Sequence, residues 1–186
     1  MRLNHNKTIK QKSNILITCE GLGDKKFIGH IKELLKEDIK TKIILKNYNG
    51  GSISNIIDNT RKEYIKNSTD YNKILILVDI DRKDDLNNIT NKDIETKIKN
   101  FLKNKKLSLI YSKPYCIEGM ILKLTNQYKN SINSSQNCKE EFKKIYNKEL
   151  TKMNIIDDFK KLKLNKNIFK NSKIDTIEKL INTLIN

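Results

Sequence analysis

Four short apolar runs, each followed by apolar residues at helical spacing, constrain the fold of this chain more than any other feature. The runs cover residues 15–19, 42–46, 74–78 and 107–111. Short continuous apolar runs are typical of strands that are buried on both faces. Alternation of such strands with helices predicts a parallel sheet with right-handed crossovers. We therefore predict an α/β fold, with a mainly parallel sheet of about four strands and helices on both of its faces.

Beyond the fourth run the pattern is helical. Helices are predicted around residues 117–124, around Phe142, over 155–162 and over 174–185. We divide the chain into a polar N-terminal tail, a catalytic domain and a helical C-terminal extension that packs on or caps the same domain. The three segments are residues 1–13, 14–127 and 128–186.

Composition restricts the function classes. The chain has 186 residues and a net charge of +16, which favours a polyanionic partner such as nucleic acid. Part of that charge reflects codon usage, because the chain has no alanine and is rich in Lys, Asn and Ile, whose codons are AT-rich. The charge is therefore permissive for nucleic-acid binding and does not establish it.

Location is also indicated by composition. Three widely spaced cysteines do not form a disulfide framework. No apolar stretch approaches the roughly 20 residues of a membrane span, and the polar tail lacks the apolar segment of a signal peptide. We expect a cytoplasmic protein without a membrane partner.

Carboxylates follow the predicted strands at their carboxyl ends. Glu20 follows the first strand, Asp79 and Asp81 follow the third, Asp24 begins the first helix, and Glu118 lies just past the fourth strand. In an open parallel sheet these ends meet at one edge, where ligands bind. Oxygen ligands without His/Cys spacing suit Mg²⁺ or Mn²⁺ rather than zinc.

Local spacing sharpens the metal-site hypothesis. If the backbone stays extended, Asp79 and Asp81 leave the strand on the same side and reach one ion. Gly21 and Gly23 would allow a tight turn that keeps Glu20 at the sheet edge. Plainer interpretations stay open, because Asp24 is equally well explained as a helix cap and aspartates are common in turns.

Three segments together resemble a known family. They are E-G-L-G-D-K-K-F at residues 20–27, V-D-I-D at 78–81 and S-K-P-Y-C-I-E-G-M-I-L at 112–122. Over residues 14–124 the chain resembles the toprim domain, specifically the OLD-type nucleases. The last segment is similar to RloB-like proteins, whereas the run after Gly23 is closer to toprim subunits that pair with an ABC-type ATPase in phage defence. Both branches stay open.

The resemblance implies a toprim-like Rossmannoid fold and a Mg²⁺- or Mn²⁺-dependent nuclease that acts on DNA or RNA, transfer RNA included. The metal ligands that it implies are Glu20, Asp24, Asp79, Asp81 and Glu118. The catalytic residues would be Glu20, Asp79, Asp81 and Lys113. Lysines on the flanking loops would meet phosphates; these are Lys25, Lys26, Lys83 and Lys113.

A second function class is a non-catalytic or partner-controlled effector subunit that acts through a separate ABC-type ATPase. The chain has no Gly-rich phosphate loop ending in Lys-Ser/Thr, so an ATPase would be another chain. A haloacid-dehalogenase-type phosphatase is set aside, because that fold places Asp-x-Asp on its first strand.

Overall fold

A four-stranded parallel sheet forms the centre of the fold, with strand order β2-β1-β3-β4. The computed structural model describes residues 14–68, 70–81, 86, 89–155 and 157–185. The predicted N-terminal tail lies outside these residues. The strands are β1 (Asn14–Cys19), β2 (Lys42–Asn47), β3 (Tyr71–Asp79) and β4 (Leu107–Ser112). The α/β fold with a parallel sheet is confirmed.

Helices connect the strands and then continue into the C-terminal part of the chain. Those between the strands are α1 (Leu22–Leu34), α2 (Ile53–Lys66) and α3 (Lys92–Leu102). Those after β4 are α4 (Ile117–Leu124), α5 (Ser135–Tyr146), α6 (Asp157–Lys161), α7 (Lys166–Lys170) and α8 (Asp175–Ile185). A 3-10 helix spans Leu150–Lys152.

Helix starts follow from capping chemistry. Ser52 caps α2, because its hydroxyl accepts a hydrogen bond from the Asn55 amide. The first helix begins at Leu22, two residues before the Asp24 start that the sequence suggested. The Gly21 amide donates a hydrogen bond to the Asp24 carboxylate at 2.8 Å. Asp24 therefore lies within the first turn of the helix and caps the amide that precedes it.

Strand alternation divides the core into two hydrophobic clusters. Leu16, Ile74 and Ile76 face α2 and α3, whereas Ile17 and Leu75 face the opposite side, where α1 and α4 pack. The C-terminal helices complete that second cluster. Their buried residues include Phe142, Phe159, Phe169, Ile177, Leu180 and Leu184. The helical extension therefore shares one core with the sheet.

Among the described residues, no helix is long and apolar enough to cross a membrane. The three cysteines are free thiols and are buried.

Candidate acidic site at the carboxyl edge of the sheet

Adjacent strands place Glu20 and Asp79 at the same edge. Cys19, the last residue of β1, pairs with Leu77 of β3, so Glu20 and Asp79 both follow closely beyond the paired region. Asp79 is only 9% exposed, and its register partner on β4 is Ser112. The Ser112 hydroxyl donates to the Asp79 carboxylate at 2.6 Å, which fixes the orientation of that carboxylate.

The loop after β2 holds the backbone of Glu20. The amide of Gly50 donates to the Glu20 carbonyl at 2.9 Å. Gly50 itself has a φ of +84°, the left-handed region that favours glycine. By contrast, Gly21 has a φ of −125°, which any residue adopts. The turn after Glu20 therefore does not depend on the special conformation that the sequence suggested for Gly21.

Glu118 reaches the site from the first turn of α4, and the next residue explains how closely that helix packs. A Cβ built on Gly119 would lie 2.3 Å from the Pro114 carbonyl oxygen and 2.8 Å from the Cys138 Sγ. Only glycine fits this contact without displacing its neighbours. Gly119 thus lets α4 approach both the loop after β4 and helix α5.

Burial and neighbouring carboxylates raise the pKa values of two of these residues. Burial, followed by the charge of Asp24, raises the pKa of Asp79 to about 8, and Glu20 and Glu118 add to the effect. Burial likewise raises the pKa of Asp24 to about 7, with further contributions from Glu118 and Glu20. The structure therefore brings four predicted carboxylates into mutual electrostatic contact.

A lysine that sequence reasoning missed joins this group. Lys139 lies on α5 and interacts electrostatically with Glu118, Asp79 and Glu20, which together raise its pKa although burial opposes the shift. Lys139 follows Cys138, whose sulfur contacts the position of Gly119. Nothing in the sequence distinguished this lysine from the many others, because it lies beyond the segments that carry the family resemblance.

Asp81 takes a different position from Asp79. The backbone does not stay extended after β3, since Ile80 and Asp81 adopt 3-10 conformation. The side chain of Asp81 is exposed, and its carboxylate accepts a hydrogen bond from the Ser135 hydroxyl at the start of α5. Asp81 is not among the largest contributions to the pKa shift of Asp79. The extended backbone on which the spacing argument for Asp79 and Asp81 depends is therefore absent, and whether both reach one ion stays a prediction.

The structure places the predicted phosphate-binding lysines in different surroundings. Lys113 is exposed, and no contact with the acidic residues is found for it within the described part of the chain. The ammonium group of Lys26 donates to the Thr151 carbonyl at 2.5 Å, and Lys25 lies close enough to act electrostatically on Cys19. Lys83 lies outside the described residues. Among the lysines of the described residues, Lys139 interacts with these carboxylates, whereas no such interaction is found for Lys113.

The donor set suits a hard divalent cation, because it consists of carboxylate oxygens. Burial, followed by neighbouring carboxylates, raises the pKa values of Asp24 and Asp79, and a bound cation would oppose these shifts. Across residues 14–68, 70–81, 86, 89–155 and 157–185, however, no three His, Cys, Asp or Glu side chains are placed so that they could hold a metal ion. The carboxylates therefore lie at one edge of the sheet without forming a metal-holding group there.

A cleft of about 380 Å³ opens beside this group. Glu118 and Lys139 line it, together with Gln136, Lys143 and Thr151. Of the four gathered carboxylates, the cleft therefore contacts Glu118. A larger cleft lies at the opposite, amino-terminal ends of β3 and β4.

Comparisons with protein-family models, with curated proteins and with solved structures found no match to this chain. The resemblance to toprim domains therefore stays a prediction.

Proposed function

We propose that this protein is a Mg²⁺-dependent nuclease of the toprim, OLD-like type that cleaves phosphodiester bonds of DNA or RNA. The observation that carries the proposal is the gathering of Glu20, Asp24, Asp79 and Glu118 at one edge of the sheet, where Asp79 is only 9% exposed. Keeping four ionised carboxylates together costs free energy, which either protonation or a bound cation relieves. The net charge of +16 supports a polyanionic substrate.

Glu20, Asp79 and Glu118 would hold the cation, with Asp24 beside them, once their side chains turn toward one point, since no three of the described side chains are placed to hold an ion as they stand. A bound Mg²⁺ would supply electrophilic activation of the phosphate and stabilise the leaving oxygen. Ser112 keeps the Asp79 carboxylate in one orientation by its hydrogen bond of 2.6 Å. Glu20 would accept the proton of the attacking water, and Lys139 would pair with a phosphate oxygen of the substrate.

The test measures cleavage of labelled single- and double-stranded DNA and RNA with Mg²⁺ or Mn²⁺. Asp79→Ala should abolish cleavage, whereas Asp175→Ala, which removes an exposed carboxylate on α8, should leave it unchanged. Equal cleavage by the wild type and Asp79→Ala would contradict the proposed site. Circular dichroism of both variants verifies that each is folded.

The same site supports a second candidate, a partner-controlled effector that works with an ABC-type ATPase, in phage defence and in the cytoplasm. Within the described residues the carboxylates are gathered without forming a metal-holding group, which favours a site completed by a partner. Efficient turnover by the isolated chain would contradict this version. Silence of the isolated chain, followed by cleavage once the partner ATPase is added, would support it.

A further inference from the structure

Strand β4 lies at the end of the sheet order, so one of its sides has no neighbouring strand. The amide of Ile74 in β3 donates to the Lys106 carbonyl at 2.8 Å, which shows that the even-numbered residues direct their backbone groups toward β3. Because backbone groups alternate along a strand, Leu107, Leu109 and Tyr111 direct theirs away from the sheet.

Two of these outward groups already have partners. The Leu107 amide donates to the Asn104 carbonyl at 2.9 Å, and the Tyr111 carbonyl accepts from the Thr176 hydroxyl of α8 at 2.5 Å. No described residue bonds to the carbonyls of Leu107 and Leu109 or to the amides of Leu109 and Tyr111. Along the edge this leaves alternating acceptors and donors, which is the pattern that an added strand satisfies.

A cleft adjoins this edge on one face of the sheet. A cleft of about 770 Å³ lies between the first halves of β3 and β4 and the polar side of α8, where Asn182 and Thr183 line it. This β4-edge cleft is at the amino-terminal ends of the strands. It is therefore separate from the acidic site, which lies beyond their carboxyl ends.

The positive charge of the residues that line the cleft favours an acidic partner. Four lysines line the β4-edge cleft, and no lining residue carries a carboxylate, although Lys179 pairs with the exposed Asp175 and Lys106 donates to the Tyr71 carbonyl. They are Lys73, Lys105, Lys106 and Lys179. A second copy of this chain, pairing β4 with β4, would bring the same lysines together and repel. A nucleic-acid backbone offers mainly acceptors, so it leaves the carbonyls of Leu107 and Leu109 unsatisfied.

We propose that the β4-edge cleft binds an extended acidic peptide segment of a partner protein, which adds to the sheet as a strand beside β4. The peptide backbone would pair with Leu107, Leu109 and Tyr111, and its carboxylates would meet the lysines. This binding is independent of the proposed nuclease activity, and it would occur in a chain whose acidic site is disabled.

The experiment titrates the full chain with a short capped peptide of alternating glutamate and valine, followed by calorimetry and by NMR amide exchange. Binding should slow exchange of the Leu109 and Tyr111 amides, whereas Ser108 and Ile110, which already face β3, should change little. Two further peptides carry N-methyl groups on either the valine or the glutamate amides. One of them should lose binding and the other keep it, because only one set of amides faces β4.

Variants of the chain test the charge contribution. Lys105→Glu combined with Lys179→Glu should weaken peptide binding several-fold, whereas Lys123→Glu, an exposed lysine on α4, should not. Absence of peptide binding would overturn the proposal. So would equal binding of both N-methylated peptides, displacement of the peptide by a thymidine oligonucleotide, or concentration-dependent dimerisation that protects the same two amides.

Discussion

Asp79 combines burial with negative neighbours, which is an arrangement that folding alone does not favour. Its pKa is raised from 3.8 to about 8 by burial and by Asp24, Glu20 and Glu118, while the Ser112 hydroxyl acts in the opposite direction. Lys139 is the cation that faces the same group. Between pH 3.8 and about 8, the folded protein holds a proton on Asp79 that the unfolded chain has released. The free energy of unfolding therefore falls as pH rises through this range.

Asp79→Asn should therefore stabilise the protein, because it removes the ionisable group and keeps an oxygen for Ser112. Above pH 8 the gain in unfolding free energy should be about 1–2 kcal/mol, and it should shrink as pH falls toward 4. Urea denaturation over this range measures it, with the exposed Asp81→Asn as control. A pH-independent difference between wild type and Asp79→Asn would contradict the assigned pKa shift.

Gly119 allows helix α4 to pack closely against its neighbours. Gly119→Ala places a Cβ within 2.3 Å of the Pro114 carbonyl oxygen, so we expect a loss of about 1–3 kcal/mol in unfolding free energy. Gly21→Ala is the matched control, since its nearest atom is Asp24 Oδ2 at an ordinary 3.6 Å. Thermal denaturation of both variants measures the difference, and equal midpoints would contradict the packing argument.

Helix α5 is the element that links the C-terminal extension to the acidic site. Its first residue, Ser135, bonds to Asp81, and one turn later Lys139 faces Glu118 and Asp79. Both contacts lie on the same side of the helix, because residues four apart are neighbours on a helix surface. The extension thus contributes to the site itself as well as to the core.

Lys139→Met should lower nucleic-acid cleavage by at least about tenfold while the protein stays folded, because it removes the cation nearest the carboxylates. Lys144→Met, an exposed lysine on the same helix, should retain activity. Initial rates at saturating Mg²⁺ measure the effect. If Lys139→Met kept wild-type rates and Lys113→Met lost them, Lys113 would be the catalytic lysine, as the family resemblance implies.

Much of the element arrangement could be predicted from the sequence, because continuous apolar runs such as residues 74–78 are typical of buried parallel strands. The gathering of Glu20, Asp24, Asp79 and Glu118 follows from the same rule, since each lies near a strand's carboxyl end. The position of Asp81 could not be predicted, because it depends on the local turn after β3. Lys139 was missed because its role arises from helix packing between distant segments.

At the scale of the whole molecule, the sheet and the C-terminal helices share one hydrophobic core. Phe169 packs edge-on against Phe27 of α1, with ring centroids 5.9 Å apart. Leu180 of α8 is fully buried in the same cluster. We expect the described part of the chain to unfold as one unit.

Leu180→Ala should lower the free energy of unfolding by about 2–5 kcal/mol, because it leaves a cavity in this core. Hydrogen exchange should then accelerate in β1 and β3 as well as in α8. Ile65→Ala, which truncates a side chain that is 59% exposed, serves as control. Faster exchange confined to α8 would contradict a shared core.

We propose that one divalent cation binds among the carboxylates of Glu20 after β1, Asp79 at the end of β3 and Glu118 in α4. A crystal soaked with Mn²⁺ and measured at the manganese absorption edge tests it most directly. We expect an anomalous peak in contact with Glu20, Asp79 and Glu118. A well-ordered site without such a peak, or a peak bound elsewhere on the chain, would contradict it.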